Sequence, residues 1–223
     1  MILLDADSLL YKVGFSTQEE SEKIAISRIS TMLEELIFTE LHTYEDYKVF
    51  LSGSENYRKD IDPQYKANRV SEKPKHYDIL KEYVLKAWAA DLSVGNEADD
   101  QVCIAAYEYG KDNCIVCHID KDLDQIPGKH YNYNKKEFYE VDEFTANLNF
   151  YTQILTGDRV DNVIGLAGIG PKKAAKLLAG CKTEGDMYAA CCEAYKGDSE
   201  RLIRNGRLLY LQRKPNDDWE PPK

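Results

Sequence analysis

The sequence lacks a long apolar run. No stretch approaches the roughly 18 residues that a membrane-spanning helix needs, and the first residues meet an acid, Asp5, after only a few apolar side chains. A signal peptide would begin with a basic segment, which is missing here. We therefore expect a soluble protein with no membrane partner that stays in the cytoplasm of the cell that makes it.

The sequence also lacks a second cysteine or histidine pair that could complete a zinc site. It has six cysteines, and Cys114 and Cys117 are three positions apart in a segment, 113–118, that we predict to be a strand. Side chains alternate across a strand, so these two thiols should point to opposite faces. We predict free, mostly buried thiols in a reducing compartment.

An excess of basic residues, the usual sign of a nucleic-acid partner, is missing as well. The formal net charge is −10, which at first argues against phosphate binding. Many of the acids, however, fall in four short clusters, and bound divalent cations would neutralise much of that charge. Two basic stretches lie elsewhere, at residues 170–182 and 201–214.

The pattern along the chain predicts alternating strands and helices. Strand, helix, strand in this order implies right-handed crossovers and a parallel sheet with helices on both faces. A loose domain boundary is placed near residue 150, where the strand pattern stops, and the tail 214–223 is predicted to be disordered. The predicted strands are 1–6, 47–51 and 115–119, with a hairpin at 130–134 and 137–141. The predicted helices are 18–42, 75–90, 97–109 and 142–156, the last capped by Asp142, and 56–75 is predicted to be a loop.

The acidic clusters follow predicted strand ends or begin predicted helices. Ligands bind at the carboxyl ends of the strands in such sheets, so these side chains should share one edge. Acids at helix starts also cap free N–H groups, which is the alternative explanation for any single cluster. Crowded carboxylates raise one another's pKa and favour Mg²⁺, Mn²⁺ or Ca²⁺ over zinc, since no histidine or cysteine joins them. Two groups of acids suggest two metal positions.

Five segments together resemble the flap endonuclease/5′–3′ exonuclease family, and most of all its bacteriophage replication exonucleases. They are residues 63–69 (PQYKANR), 95–100 (GNEADD), 119–124 (IDKDLD), 157–162 (GDRVDN) and 168–174 (GIGPKKA). Asp5 resembles the family's aspartate on the first strand. The resemblance covers residues 1 to about 213. It implies a Rossmann-like PIN nuclease domain over 1–150, with a helical arch at about 66–90. It also implies a helix–three-turn–helix DNA-binding module over 151–213.

The resemblance also implies roles for single residues. The first metal would be held by Asp5, Glu97, Asp99 and Asp120, and the second by Asp122, Asp158 and Asp161, with Asp100 and Asp120 between them. The ions would be Mg²⁺, with Mn²⁺ as a substitute. Lys66 and Arg69, with Tyr65 of the same motif, would act at the scissile phosphate. One departure is that no aspartate follows the second strand, where residues 52–55 read SGSE; Glu55 or a water could substitute.

The glycine-rich turn before residue 171 predicts a phosphate-binding helix start. Glycines allow close approach of the backbone, proline suits the first helical turn, and free N–H groups there attract phosphate. Ala175, Leu177 and Leu178 are expected to pack inward. The residues predicted to bind DNA are Gly168, Gly170, Lys172, Lys173 and Lys176. The resemblance implies a K⁺ ion in this turn.

The prediction is a structure-selective 5′-nuclease that hydrolyses DNA phosphodiester bonds with two metals. Its partner would be DNA with a 5′ end or flap, and RNA–DNA hybrids if it removes primers during replication. We expect a monomer, in the host cytoplasm if a phage encodes it. Two alternatives remain open at this point: a non-catalytic DNA-binding relative that has lost a metal ligand, and a PIN-type ribonuclease.

Overall fold

A computed structural model describes residues 1–41, 46–69 and 72–222, and its centre is a six-stranded sheet. The strand order is β3-β2-β1-β4-β5-β6, and all neighbouring pairs are parallel except β5 and β6. The chain builds outward from β1 to β2 and β3, and then returns to place β4 on the other side of β1, so the switch point of this sheet lies beside β1. The strands are β1 (Ile2–Asp5), β2 (Tyr47–Leu51), β3 (Asp91–Leu92), β4 (Ile115–His118), β5 (Gly128–Asn132) and β6 (Glu137–Val141).

One face of the sheet is covered by helices α1 (Asp7–Ser16) and α2 (Glu22–Glu34). The predicted helix at 18–42 is confirmed over 22–40, whereas α1 was not predicted. The chain first forms α1, whose apolar positions Leu9, Leu10 and Val13 are buried, and α2 ends in a π-helical segment, Glu35–Glu40. Residues 42–45 lie outside the described residues. A side chain at Gly14 of α1 would place its Cβ 2.5 Å from Pro74, so this glycine lets the 72–76 segment cross the helix.

The opposite face packs against α5 (Ala98–Tyr109), through residues such as Val102 and Ala106. The two cysteines at 114 and 117 confirm the alternation expected of β4. Cys114 is buried with the α5 cluster and Cys117 with the cluster on the α1 side. All six cysteines are free, and four are buried.

The segment predicted as a helical arch, about 66–90, contains one helix among its described residues. That helix is α4 (Tyr77–Ala87). A short helix before it, α3 (Arg58–Ile61), lies within 56–75, so the prediction of a loop there is corrected. Tyr77, Leu80 and Val84 of α4 are buried in the core cluster that includes α1 and α2. In the described residues, this segment therefore packs against the core cluster and does not form a free-standing arch. Residues 70 and 71 lie outside the described residues.

The predicted β-hairpin and the helix after it are confirmed. Strands β5 and β6 pair antiparallel, and α6 (Glu143–Thr156) begins at Asp142, whose carboxylate accepts a 2.7 Å hydrogen bond from the backbone N–H of Thr145. The boundary placed near residue 150 falls inside α6. A further short pair, β7 (Gly157–Asp158) and β8 (Val163–Ile164), follows, so strand structure does not stop there.

Three more helices, α7 (Pro171–Leu178), α8 (Glu184–Tyr195) and α9 (Ser199–Leu209), pack with α6 around a second apolar cluster. The tail contributes to this cluster, which corrects the predicted disorder of 214–223. Trp219 is 4% exposed and packs edge-on against Phe150, and Gly206 of α9 leaves room for its ring. None of the helices in the described residues has the length and apolar character to cross a bilayer.

Candidate active site

Acidic side chains line a cavity of about 500 Å³ at the carboxyl ends of the parallel strands. Every predicted metal-binding acid except Asp100 lies in its wall, although the four sequence clusters are far apart in the chain. The parallel strands bring Asp5 and Asp120 to one edge of the sheet, and the segment containing β7 brings Asp158 and Asp161 to the same cavity. The lining acids are Asp5, Asp7, Glu97, Asp99, Asp120, Asp122, Asp158 and Asp161.

Short backbone turns hold the carboxylates in position. Asp5 ends β1 and accepts from the N–H of Asp7 at 3.1 Å. Asp120 caps the 3-10 turn Lys121–Gln125 by accepting from the N–H of Asp122 at 3.0 Å. Asp158 accepts from the N–H of Val160 at 2.7 Å. These acids therefore accept hydrogen bonds from backbone N–H groups and also line the cavity, so the capping explanation and the functional explanation are compatible.

Three acids of the cavity have raised pKa values. Burial, with the neighbouring Asp7 and Asp120, raises the pKa of Asp5 to about 8. Burial and Asp120 raise the pKa of Asp122 to about 7, and burial and Asp5 raise the pKa of Asp99. Carboxylates crowded in this way need a compensating positive charge to ionise together at neutral pH. A set made of carboxylate oxygens alone suits hard divalent cations, so the residues present fit the ions that the sequence predicts.

Basic side chains enter the same cavity. Lys66 forms ion pairs with Glu97 and, at 3.5 Å, with Asp161, and Arg69 bonds Asp161 at 2.6 Å. Burial alone would raise the pKa of Glu97, but Lys66 and Arg58 outweigh it and lower that pKa to about 2. On the other side of the cavity, Lys121 Nζ lies 3.0 Å from Asp158 Oδ2. Burial would raise the pKa of Asp158, but Lys121 outweighs this effect and the pKa is lowered.

Tyr65, predicted to act at the phosphate, does not line this cavity. It is 3% exposed, and its hydroxyl lies 2.9 Å from Glu97 Oε2 and 2.8 Å from Asp161 Oδ2. The backbone N–H of Lys66, the next residue, donates to the carbonyl of Asp161 at 2.9 Å. Tyr65 therefore joins two carboxylates from distant parts of the chain and fixes the distance between them.

Asp100, predicted to lie between the metals, has another role in the structure. It is fully buried and takes two parallel hydrogen bonds from Arg58, at 2.6 and 2.8 Å. The backbone N–H groups of Glu97 and Gln212 also donate to it, each at 3.1 Å. With its oxygens committed to these donors, Asp100 is a structural anion that completes the capping box of α5. Sequence reasoning could not separate it from Asp99, the adjacent acid.

Asp7 is the cavity acid that the sequence-based set of metal ligands omits. It begins α1, and its carboxylate accepts from the backbone N–H of Ser52, just past β2, at 3.1 and 3.2 Å. It thus places a carboxylate beside the strand end where the family pattern has an aspartate and this chain has none. Burial raises the pKa of Asp7. Glu55 is exposed and does not line the cavity. The position of Asp7, two residues after Asp5, was the feature of the sequence that could have identified it as a cavity acid.

The glycine turn leads into α7 as predicted. Gly168 has φ +74°, which favours glycine, and Gly170 caps a helix whose first residue is Pro171. Lys172, Lys173 and Lys176 are all exposed. The inward face differs from the prediction, because Ala174 and Leu178 are buried whereas Ala175 and Leu177 are exposed. Helical spacing of four, from 174 to 178, explains the difference.

In the second basic stretch, 201–214, three side chains bond other residues of the chain, while Arg204 is exposed. Arg201 donates to the carbonyls of Ile164 and Gly165, which fixes the strand that leads into the glycine turn. Arg207 pairs with Glu220 and Lys214 with Asp217. Helix α7 supplies three exposed lysines directly after the glycine turn.

The fold and the acid-lined cavity define a nuclease of the 5′–3′ exonuclease type. The family model described as "5′-3′ exonuclease, N-terminal resolvase-like domain" matches residues 1–159, and the chain belongs to this family. A 5′–3′ exonuclease of Bacillus subtilis (strain 168) is 28% identical over 241 aligned residues, which cover 96% of this chain and 81% of that protein. A flap endonuclease Xni of Shewanella baltica is 20% identical, with coverage of 96% and 87%.

Solved structures agree on the fold. Bacteriophage T5 5′-exonuclease with bound zinc ions superposes with a TM-score of 0.72 at 17% identity, covering 95% of this chain and 89% of that one. T5 D15 protein co-crystallised with metal ions gives a TM-score of 0.68 at 18% identity, with coverage of 94% and 89%. The catalytic core of Rad2 in complex with DNA gives 0.51 at 14% identity, with coverage of 97% and 79%. The predicted family and its phage relatives are thus confirmed, together with the parallel sheet flanked by helices.

Proposed function

We propose that this protein is a structure-selective 5′-nuclease that hydrolyses DNA phosphodiester bonds with two divalent metal ions, normally Mg²⁺. The observation that carries the proposal is the convergence of eight acids on one cavity, several of them with raised pKa values. Family membership supports the nuclease activity, and the T5 structures with metal ions support a metal requirement.

We assign the ligands to two ions, one on each side of Asp120. Asp5, Asp7, Glu97 and Asp99 lie with Asp120 toward β1 and α5. Asp122, Asp158 and Asp161 lie toward β7, and Asp120 stands between the two groups, with Mn²⁺ able to replace Mg²⁺ in both. When bound, such ions supply Lewis-acid stabilisation of the phosphoryl oxygens and a nucleophilic water.

The protein's own cations would act on the substrate. Lys66 and Arg69 already contact acids of the cavity, so a phosphate placed there lies within their reach. A fixed cation at that point stabilises the negative charge that develops as the phosphodiester is attacked. Arg69 is about half exposed and can leave Asp161 for a phosphate, with the planar fork that suits phosphate oxygens. Tyr65 keeps Glu97 and Asp161 in place meanwhile.

Duplex binding is assigned to α7 and the turn before it. Three exposed lysines beside free helical N–H groups offer a surface for phosphates that carries no base information. K⁺ is proposed for the glycine turn. The substrates are DNA with a 5′ end or flap and, if the enzyme removes primers, RNA–DNA hybrid, with the protein acting as a monomer.

A 5′-labelled flap and a nicked duplex incubated with Mg²⁺, with and without EDTA, test the proposal. We expect short labelled products only when Mg²⁺ is free, and no products from the matched variant Asp120→Asn. Labelled single-stranded RNA serves as the comparison substrate. Preferential cutting of that RNA would instead support the PIN-type ribonuclease.

A non-catalytic binder remains the second candidate, because no aspartate follows β2. Asp7 argues against it, since its carboxylate lies at that strand end and faces the cavity. Tight flap binding by the wild-type protein without any Mg²⁺-dependent or Mn²⁺-dependent cutting would select this candidate.

A further inference from the structure

A second group of possible metal ligands lies on the other side of the Asp120 turn. His118 ends β4, His130 lies in β5, and Asp124 belongs to the 3-10 turn between them. One ligand atom from each lies within 4.8 Å of the others, the only such histidine- or cysteine-containing group in 1–41, 46–69 and 72–222. Asp124 is the one acid of its sequence cluster that does not line the large cavity.

The tautomer of each histidine is fixed by a backbone carbonyl. His118 Nδ1 lies 2.5 Å from the carbonyl oxygen of Asp120, and His130 Nε2 lies 2.7 Å from that of Ile126. A carbonyl only accepts, so both of these ring nitrogens carry the proton. The remaining nitrogens, His118 Nε2 and His130 Nδ1, are therefore both left with a lone pair in the neutral rings.

These two lone pairs face each other. The nitrogens are 2.8 Å apart, and the rings are 1% and 0% exposed. Two lone pairs at that distance repel, and a cation bound by both nitrogens would remove the repulsion. Asp124 Oδ1 is 3.8 Å from His118 Nε2, on the same side.

The surroundings resemble the outer shell of a built metal site. Metal-binding histidines commonly donate their other N–H to a carbonyl, as both rings do here. Tyr139 donates to Asp124 Oδ1 at 2.7 Å, and its oxygen is 3.1 Å from His118 Nε2. A cavity of about 350 Å³, lined by His118, Asp124 and Tyr139 among others, connects the group to the surface.

We propose that His118, His130 and Asp124 bind one transition-metal ion of the Zn²⁺ type, separate from the ions of the carboxylate cavity. Two imidazoles and one carboxylate suit zinc, whereas the all-oxygen cavity suits Mg²⁺. Tyr139 or a water would complete four ligands.

The role of the ion would be structural. His118 holds the carbonyl of Asp120, so an ion on His118 ties β4, β5 and the 3-10 turn together behind two acids of the cavity. This inference does not rest on the nuclease proposal, because it concerns different ligand atoms and a different ion.

The test is calorimetric titration of metal-stripped protein with Zn²⁺ in excess Mg²⁺, with Co²⁺ absorption as a second readout. We expect one tight Zn²⁺ per chain, a higher melting temperature with Zn²⁺, and Co²⁺ bands without thiolate character. His130→Gln and Asp124→Asn should each weaken Zn²⁺ binding at least about tenfold, the lower end of the usual range for disturbing a metal shell.

Two control variants separate this group from other metal-binding atoms. Asp122→Asn changes the carboxylate cavity, and the double variant Cys181→Ser, Cys192→Ser removes the two thiols that are not fully buried. Both should keep tight Zn²⁺ binding. If His130→Gln fails to fold, the partly exposed Asp124→Asn decides alone. Absence of tight Zn²⁺ binding in the wild type, or its loss only in a control variant, would overturn the proposal.

Discussion

The acid-lined cavity and the lysine-bearing helix α7 are built in opposite ways. The cavity gathers side chains from distant segments, and they hold one another through Tyr65, Lys66 and Lys121. The lysines of α7 come from one short segment and, within the described residues, show no ion pair with an acid. Catalysis requires charged groups that are held at fixed positions, whereas phosphate binding requires only exposed positive charge near the phosphates. Substitutions should therefore act differently in the two regions.

The largest effect is expected from Asp5→Asn. Removing one proposed metal ligand should lower kcat by at least about 10²–10³-fold, as loss of a key electrostatic contact does. The melting temperature of the metal-free protein at pH 8 should hold or rise, because the substitution removes a buried group whose charged form is disfavoured by burial and by the neighbouring acids.

Asp158→Asn is the matched contrast. It should lose activity similarly but also lose stability, because Lys121 stabilises the ionised form of Asp158. Single-turnover cleavage and thermal unfolding measure both effects. If Asp5→Asn were unfolded at room temperature, the expected difference in stability between the two variants would be wrong, and Asp5 would be a structural residue.

Lys66→Ala should come next, with a loss of kcat of about 10–100-fold and little change in duplex affinity, since we propose that its charge acts at the reacting phosphate. Arg69→Ala is the companion variant, with a smaller expected loss because Arg69 is more exposed. The measurement is single-turnover cleavage at saturating substrate together with binding in Ca²⁺. Weaker binding combined with unchanged saturated cleavage would assign Lys66 to the same role as the α7 lysines.

A moderate effect is expected from pH on the metal-free protein. Asp5 and Asp122 have pKa values raised above their unfolded values, to about 8 and about 7. The folded state thus binds more protons, and stability present below about pH 4 is lost as the pH rises through 7 and 8. The melting temperature should fall between pH 5 and pH 8, by about 2–4 °C for each kcal/mol lost. Saturating Mg²⁺ should flatten this dependence; the same slope with and without Mg²⁺ would argue against ion binding at these acids.

The smallest effect should follow substitution of Lys172 and Lys173 by Ala. Each phosphate contact contributes about −0.9 to the slope of log affinity against log salt, so the double variant should have a slope shallower by up to about 2 units. The loss should be alike for different DNA sequences, with cleavage of saturating substrate retained. Binding is measured in Ca²⁺ across a salt series. An unchanged slope would remove α7 from the DNA interface.

Much of the site could be predicted because its acids follow strand ends, where sequence pattern and sheet topology agree. Asp100 could not be separated from Asp99 in this way. Its partner Arg58 lies about forty residues earlier in a segment that was predicted to be a loop. The grouping of Asp124 with His130 could not be predicted either, because His130 comes close to it only through the pairing of β4 with β5. Local periodicity also missed α1 because its apolar residues directly follow a strand.

Helix α6 has a consequence for any attempt to divide the protein. Its buried residues Phe150 and Ile154 belong to the second apolar cluster, while Gln153 bonds both Gln125 and Asp122 on the nuclease side. A fragment ending near residue 150 would lose half of this helix and a support of the Asp120 turn. Expression of residues 1–150 alone should therefore yield an insoluble or protease-sensitive product rather than a smaller enzyme, so the sheet and the helices around the second apolar cluster should fold as one unit.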